Sequence, residues 1–468
     1  MKATEKVLEA KSIHIFAWFF QFEIEEAEKL FKKVELEGWK RKNLKFNYST
    51  SESYDYSNCF MLYQYLSKSA RNIFIEQNVC HIYEYPNDKE YTYHIKKGEN
   101  DIYDLPITSI ELHLYQYGIG ILFIQVSNNN FSNIADIKKI NDYGRRISIP
   151  FLANKGELLC ADEIGITWKE GNKLSSNITK FYSLIEQKTD KILDKAEFLY
   201  NLLNYNLNKE KENTISIDPV SDDRMFVCTV IRDANLSKEI INKTYDEEQL
   251  YSILFMDSKK ATCQDKEMRK QLFKDAIYSR WADWGTLYAA TSYSLCCITT
   301  DESIVNASVI KPFIVEYSYF ISLVLAQRIG IISFANQAGK IVTRTKKKGN
   351  IKSKQAKELV NLQKQYINFK NQLLILEAST QEQGIEIYHL LQKQLLIKEE
   401  QAILNEQLQS LYEATNISFQ NKLTIFGIAI AAVTILIDIL FNIGITCMQK
   451  EGINYIDFIK EFFKAFIG

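Results

Sequence analysis

One stretch near the C-terminal end constrains this chain more than any other, because it is apolar and free of charge. Residues 423–437 read LTIFGIAIAAVTILI, and after Asp438 the apolar pattern continues to Gln449, giving 27 residues in all. A membrane-spanning helix needs about 20 predominantly apolar residues, so this run is long enough to span with some tilt. The sequence therefore predicts a transmembrane helix over residues 422–450. The alternative is a buried core helix.

A second apolar run, from Pro312 to Gln337, contains Glu316 and Arg328. Charged side chains inside the run favour an amphipathic or buried helix over a spanning one. Pro312 is also the last of five prolines, so the final third of the chain can form very long helices.

Polar side chains follow one stripe of the predicted span. Thr434, Asp438 and Asn442 are spaced four residues apart, which places them on one helix face. A carboxylate inside a membrane is costly, and it usually faces a pore or a partner helix. In a homo-oligomer the stripe would form oxygen rings along a cation path. Alternatively, Asp438 lies near the end of a tilted helix and reaches water.

The residues before the span show heptad spacing. Apolar side chains recur at alternating intervals of three and four from Leu359 to Leu376, stop at residues 379–384, and resume at Tyr388. The interruption is either a turn between two antiparallel helices, followed by one helix over residues 385–449, or a change of pattern within a single longer helix. The seam either faces copies of the chain or packs against its own soluble domain.

Two charged segments flank these helices. Residues 344–357 are rich in lysine, which indicates a solvated loop or a patch near anionic lipid or a polyanionic ligand. The tail, residues 451–468, alternates apolar and charged residues and is typical of an amphipathic helix lying on a membrane. The alternative for the tail is packing on neighbouring subunits.

The first 340 residues alternate strand-like and helical patterns, which predicts an α/β layered domain. Strands are expected at residues 13–20, 107–126 and 225–231, and helices at 180–204, 266–296 and 313–337. The predicted organisation is an α/β ligand-sensing domain (1–340), a helical stalk (341–421), the transmembrane helix (422–450) and the amphipathic tail (451–468).

Composition and motifs argue against several function classes. The net charge is −1, so a generally basic nucleic-acid binder is excluded and no direct nucleic-acid partner is expected. The five histidines and eight cysteines show no metal-ligand spacing, and no phosphate-binding loop, zinc-protease or esterase motif is present. We therefore predict neither a catalytic site nor a metal site in the protein.

An arginine pair is the first candidate ligand site. Arg145 and Arg146 follow Gly144 in the segment DIKKINDYGRRISIP, and two guanidinium groups suit phosphate or carboxylate. Asn141 and Tyr143 belong to the same candidate site. The alternative is a structural corner in which the arginines pair with Asp136 or Asp142.

An aromatic group is the second candidate. Helical spacing would place Trp281, Trp284 and Tyr288 on one face beside Arg280, where a base could stack and a phosphate could bind. The alternative, which the residue types favour, is a tryptophan-rich core face.

The order of an α/β domain, a stalk and a C-terminal span resembles the CorA superfamily of pentameric divalent-cation channels. Gly452-Ile453-Asn454 stands where that family has Gly-Met-Asn after its first span, although too few residues follow for a second span. The blocks YQYGIGILFIQVSNN, DIKKINDYGRRISIP and YFISLVLAQR are similar to CorA-like proteins associated with type III CRISPR systems.

This resemblance implies a homo-oligomeric, pentameric protein of the bacterial inner membrane with a large cytoplasmic domain. It further implies gating by S-adenosylmethionine joined to AMP in antiviral defence, and a pore lined by Gly452 and Asn454 with Thr434, Asp438 and Asn442. Two other functions stay open. One is constitutive transport of Mg²⁺ or another divalent cation, and the other is a single-pass membrane scaffold or sensor.

Overall fold

The computed structural model describes residues 7–46, 54–86, 89–149, 158–170, 173–182, 196–203, 217–220, 223–343 and 353–451. The chain forms two compact units. The first comprises Met1–Asn336 with Lys364–Leu404, and the second comprises Gln337–Gln363 with Asn405–Gly468. Residues 364–404, which the sequence assigns to a stalk, therefore belong to the same unit as the N-terminal domain.

The first unit is built on one mixed sheet. Its strands are β1 (Ser12–Gln21), β2 (Lys40–Arg41), β3 (Cys80–Glu84), β4 (Tyr91–Lys97), β5 (Asp101–Tyr115), β6 (Ile119–Asn128), β7 (Glu163–Glu170), β8 (Lys173–Lys180), β9 (Asp218–Pro219), β10 (Phe226–Arg232), β11 (Ile277–Tyr278), β12 (Leu287–Ala290) and β13 (Ser294–Thr299). The main path runs β11-β12-β13-β10-β1-β6-β5-β4-β7-β8. Strands β10 and β13 pair in parallel, whereas β1 pairs antiparallel with both β10 and β6.

The central strands are buried on both faces. In β1 eight of ten residues are buried, and in β6 nine of ten. Such strands read as near-continuous apolar runs, which is why the sequence predicts β1, β6 and β10 correctly. The glycine bend between β5 and β6 is also confirmed. Gly118 has φ +73°, and a Cβ there would lie 2.3 Å from the Phe22 carbonyl oxygen.

The other regular elements of the described residues are helices. They are α1 (Ala27–Leu36), α2 (Tyr54–Tyr65), α3 (Lys68–Phe74), α4 (Ile134–Gly144), α5 (Glu197–Leu202), α6 (Ala234–Asn242), α7 (Glu247–Leu254), α8 (Lys266–Ala276), α9 (Ser318–Thr343), α10 (Ser353–Leu373), α11 (Glu382–Gln394) and α12 (Ile397–Glu451). Two π-helical turns, Asn306–Ile310 and Phe313–Tyr317, precede α9.

One helix prediction is wrong. The helix expected over residues 266–296 ends at Ala276, and β11, β12 and the first half of β13 occupy the rest of that range. There the pairing of β13 with β12 and with the distant β10 outweighs the local helical preference, which is a weak determinant over a few residues. Of the helix expected over 180–204, the described residues contain the end of β8 and the six-residue α5, and the middle of that range lies outside the described residues.

The helix predicted over residues 313–337 is confirmed as a buried helix. The continuous helical stretch Asn306–Thr343 is the one helix among the described residues that is long and apolar enough to cross a membrane, and 72% of its most apolar window is buried within the protein. Burial of that extent is what a core helix of a globular unit shows.

The predicted interruption near residues 379–384 is also confirmed, because α10 ends at Leu373 and α11 begins at Glu382. A second interruption was not predicted. Leu396 has φ +55° and separates α11 from α12, so the final helix has 55 residues and starts at Ile397. The single helix expected over 385–449 is therefore wrong in its first turns.

The heptad seam has partners within the chain where it belongs to the first unit. Phe369 of α10 packs against Phe334 of α9 at 5.2 Å between ring centroids and against Tyr117 at 5.5 Å. Tyr366 contacts the same Phe334 ring at 5.4 Å. At these positions the seam packs on the chain's own soluble unit, which was the alternative to a seam facing copies.

Candidate functional site

The arginine pair lies at a sharp corner after α4. A Cβ on Gly144 would lie 2.7 Å from the Phe16 ring and 2.8 Å from Ile95, so only glycine fits this close approach to the sheet. The corner fixes Arg145 and Arg146 against the core instead of presenting both to solvent.

Both guanidinium groups have acidic partners. Arg146 donates from Nε to Asp142 at 3.0 Å and from Nη1 to Asp223 at 3.1 Å. Arg145 is 2% exposed and donates to Asp142 at 3.5 Å and to the Met256 carbonyl at 3.1 Å. Burial lowers the pKa of Arg145 to about 10 although Asp142 opposes this shift.

The geometry is therefore that of the ion-paired corner, with Asp142 and not Asp136 as the local partner. Asp142 also accepts from Ser258 Oγ at 2.6 Å. Asp136 accepts instead from the Tyr103 hydroxyl at 3.0 Å. A charge pair this deeply buried holds the corner together, and removing one partner would leave a costly unpaired charge.

The other two predicted residues of this group are also inside the protein. Asn141 Oδ1 accepts from Thr229 Oγ1 at 2.7 Å and lies 2.7 Å from His14 Nδ1. Burial lowers the pKa of His14 to about 4, so the imidazole is neutral at physiological pH. Tyr143 is buried as well. These side chains join α4 to the sheet and do not line an open site.

The aromatic group does not share a helix face. Trp281 precedes a single 3₁₀ turn, Ala282–Trp284, which Trp284 ends, and Tyr288 lies on β12 with its side chain buried. Trp284 is 78% exposed, whereas Trp281 is 40% exposed. The tryptophan-rich core face is therefore wrong for Trp284.

Instead, the turn forms a clasp on α11, defined here by Tyr278, Arg280 and Trp281. Arg280 donates to Glu382 at 2.9 Å and to Glu386 at 2.8 Å. Trp281 Nε1 donates to Gln383 at 2.6 Å, and the Tyr278 hydroxyl donates to Glu386. Arg280, which the sequence places in a candidate ligand site, therefore links the segment after β11 to α11, the helix that precedes α12.

A buried polar chain that sequence reasoning missed lies under α9. His113 Nδ1 lies 2.7 Å from Ser322 Oγ, and His113 Nε2 lies 3.5 Å from Glu111. Lys42 donates to Glu111 at 2.7 Å. Burial alone would raise the pKa of Glu111, but Lys42 and His113 lower it to about 2.

The order Ser–His–Glu resembles a nucleophilic triad, yet Ser322 is fully buried near the start of α9. A nucleophile must meet its substrate, so this chain has the contacts of a catalytic triad without access for a substrate. Motif spacing in the sequence does not reveal this contact, because Ser322 is 209 positions from His113. Among the described residues no cluster of His, Cys, Asp or Glu has the arrangement of a metal site.

The predicted span lies on α12. Apolar side chains of Thr424–Ile439 are exposed over their whole described length, from Ile425 at 67% to Ile439 at 49%. Thr434 Oγ1 donates to the Ile430 carbonyl of its own helix at 3.0 Å, and Asp438 is exposed. Asn442 belongs to α12, but its side chain lies outside the described part.

Gly452, Asn454, the amphipathic tail and the first part of the basic segment, residues 344–352, lie outside the described residues. Comparisons of the chain with protein-family models, with curated proteins and with solved structures found no match.

Proposed function

We propose that this protein is a homo-oligomeric membrane effector whose soluble α/β unit senses a small nucleotide-type ligand and whose C-terminal helix forms a gated ion path. The setting that the resemblance suggests is type III CRISPR antiviral defence, with S-adenosylmethionine joined to AMP as the activating ligand. The proposal includes no catalytic step.

The exposed apolar stretch Thr424–Ile439 carries this proposal. Fully burying a large aliphatic or aromatic side chain contributes roughly 1.5–3 kcal/mol, and water-exposed patches of this size are rare on monomers. Ile425, Phe426, Ile428, Val433 and Leu436 are each more than half exposed. Lipid around one span, with a second copy beside it, would remove this surface from water.

The clasp supports the sensing part of the proposal. The clasp joins the sheet to α11 through Arg280. Only two residues, Leu395 and Leu396, separate α11 from α12. A ligand that binds the sheet differently in two states would shift α11, provided that its affinity differs between those states.

Membrane insertion is tested first, with full-length protein in cell membranes washed with carbonate. Wild type is expected to stay in the pellet. Ile430→Arg places a charge in the apolar stretch, which costs about 2.5–3.5 kcal/mol on insertion scales, and is expected to move protein to the supernatant. Ile403→Arg is the matched control, because Ile403 is an exposed isoleucine of the same helix outside the stretch. Release of the wild type by carbonate would overturn the proposal.

Gating is tested by ion flux from proteoliposomes with and without S-adenosylmethionine joined to AMP. We expect ligand-dependent flux that Asp438→Ala reduces. Flux without ligand, together with rescue of a magnesium-uptake-deficient strain, would replace the proposal with constitutive transport. Insertion without flux under either condition would leave a membrane scaffold or sensor.

A further inference from the structure

A cavity of about 170 Å³ lies in the first unit between the sheet and α9. Its walls include Phe19, Phe226, Tyr293 and Ile329, and two cations, Arg224 and Arg328, also line it. A cavity of about 150 Å³ holds a benzene-sized ring, so the space takes one ring or one compact anionic group. None of these residues belongs to the two candidate sites that the sequence suggests.

Arg224 is held in place on one side of the cavity. It donates from Nε to Asp223 at 2.9 Å, and its guanidinium carbon lies 5.2 Å from the centroid of the Tyr293 ring. Asp223 also accepts from Arg146, so Arg224 is the outermost cation of the arginine corner. A guanidinium fixed against an aromatic face is arranged to meet an incoming anion without further ordering.

Arg328 is the second cation, and its position is unusual. It follows Gln327 on α9 and is partly buried, and no hydrogen bond or ion pair joins it to another residue in the described part of the chain. An arginine has five donors, and Arg328 is partly exposed, so its guanidinium is accessible to an anion that enters the cavity. Arg328 therefore has unused capacity for an anion in the cavity that it lines.

An acidic side chain of α12, Glu400, interacts electrostatically with Arg328. Burial raises the pKa of Glu400, and the positive charge of Arg328 opposes that shift, so the two groups are close enough to interact. Glu400 Oε2 is buried without a hydrogen-bond partner. The Glu400 carboxylate therefore contributes a negative charge near Arg328 without a direct ion pair to it.

We propose that this cavity binds a small organic anion, a phosphate or carboxylate attached to a single ring, with its acidic group between Arg224 and Arg328. The apolar wall of Phe19, Phe226 and Ile329 holds the ring. A bound anion adds a second negative charge near Arg328, beside that of Glu400. Any link from this site to gating rests on the proposed function, whereas the binding itself does not.

Binding is measured by calorimetry on the full-length protein in detergent, with phenyl phosphate, benzoate, AMP and inorganic phosphate as probes. We expect one of the ring-bearing anions to bind at least tenfold more tightly than inorganic phosphate, because the apolar wall contributes only to a ring. The preferred member distinguishes a phosphate site from a carboxylate site. Equal or absent binding of all four probes overturns the proposal.

Variants then locate the site. Arg328→Gln should weaken binding at least tenfold, which is the usual effect of losing one charge-assisted hydrogen bond. Lys238→Gln removes the same charge from an exposed position of α6 and should leave affinity unchanged. Glu400→Gln should tighten binding several-fold because it removes a nearby negative charge that repels the anion. It also tests the site if Arg328→Gln fails to fold.

Unchanged affinity in both Arg328→Gln and Glu400→Gln overturns the site, whatever the proteoliposomes show. Binding that depends on Arg328 in a protein without ion flux leaves the site intact and removes the proposed function. Ligand-dependent flux that neither variant alters keeps the proposed function and places its ligand elsewhere.

Discussion

Two apolar helical stretches of this protein have similar side chains and opposite surroundings. Asn306–Thr343 is mostly buried within the protein, whereas the described side chains of Thr424–Ile439 are exposed. The first stretch finds its apolar partners in the sheet and in α10. The second has no such cover in a single described chain. The comparison shows that apolar content predicts burial but does not predict what provides it.

The largest difference is expected between two phenylalanines. Phe320 of α9 is fully buried, and Phe426 of α12 is 65% exposed. Phe320→Ala should lower the free energy of unfolding by about 3–5 kcal/mol because it leaves a cavity. Phe426→Ala should change the same quantity, measured by denaturant titration in detergent, by less than about 0.5 kcal/mol. Equal losses would mean that Phe426 has a protein partner within the chain.

A buried acid just before α9 gives the next largest effect. Burial raises the pKa of Glu316 to about 7, although the Ser379 hydroxyl, which donates to it at 2.8 Å, opposes the shift. The folded pKa lies above the unfolded value of 4.5, so the folded state loses stability as pH rises from about 4.5 to 7, by about 3 kcal/mol in all.

Glu316→Gln should remove this pH dependence and be more stable than wild type at pH 8. Denaturant titrations of both proteins between pH 5 and pH 8 check it. Parallel curves for the two proteins across that range would contradict a protonated Glu316 in the fold.

Two hydroxyl groups, one on each apolar stretch, give a smaller expected difference in stability. Ser322 of α9 lies 2.7 Å from both His113 Nδ1 and the Tyr115 hydroxyl, which are buried. Ser322→Ala should cost about 1–3 kcal/mol because it leaves buried polar atoms unpaired. Thr434→Val should be nearly neutral in thermal unfolding, since Thr434 bonds only its own helix. A large loss at Thr434 would indicate a partner beyond the helix.

Glycines provide the smallest test. A Cβ on Gly330 would lie 2.2 Å from the Phe369 ring, whereas a Cβ on Gly427 would meet nothing within 4 Å. Gly330→Ala should therefore destabilise by about 1–2 kcal/mol, after the gain in helix propensity is included. Gly427→Ala should raise helix stability by up to about 1 kcal/mol, as followed by circular dichroism. The comparison fails if both changes have the same sign.

The sequence predicts the helices and strands that a local apolar pattern identifies without knowledge of the segments they pair with. Long apolar runs gave β1, β6, β10 and the helix at 313–337, and the loss of heptad spacing gave the break before α11. The sequence assigns residues 277–296 to a helix because β11, β12 and β13 are only two to six residues long. Strands that short exist only through pairing, and no local pattern specifies it.

The candidate residues divide in the same way. Asp142 lies three and four positions before the arginine pair, so the ion-paired corner was visible as an alternative in the sequence. Asp223 is 77 positions from Arg146, and the acids that bind Arg280 are 102 and 106 positions away. Arg328 was visible only as a charge in an apolar helix, and only the fold brings it to a cavity.

Leu396 forms the bend between α11 and α12, and its backbone conformation is unusual for a residue with a side chain. A residue with a Cβ in the left-handed region costs about 1–2 kcal/mol, and glycine would adopt it freely. If Leu396 relaxed to the right-handed conformation, α11 and α12 would join into one uninterrupted rod from Glu382 to Glu451. Leu391, Leu395 and Ile397 are buried on both sides of this bend, so their packing on the first unit offsets its backbone cost and sets the direction in which α12 begins.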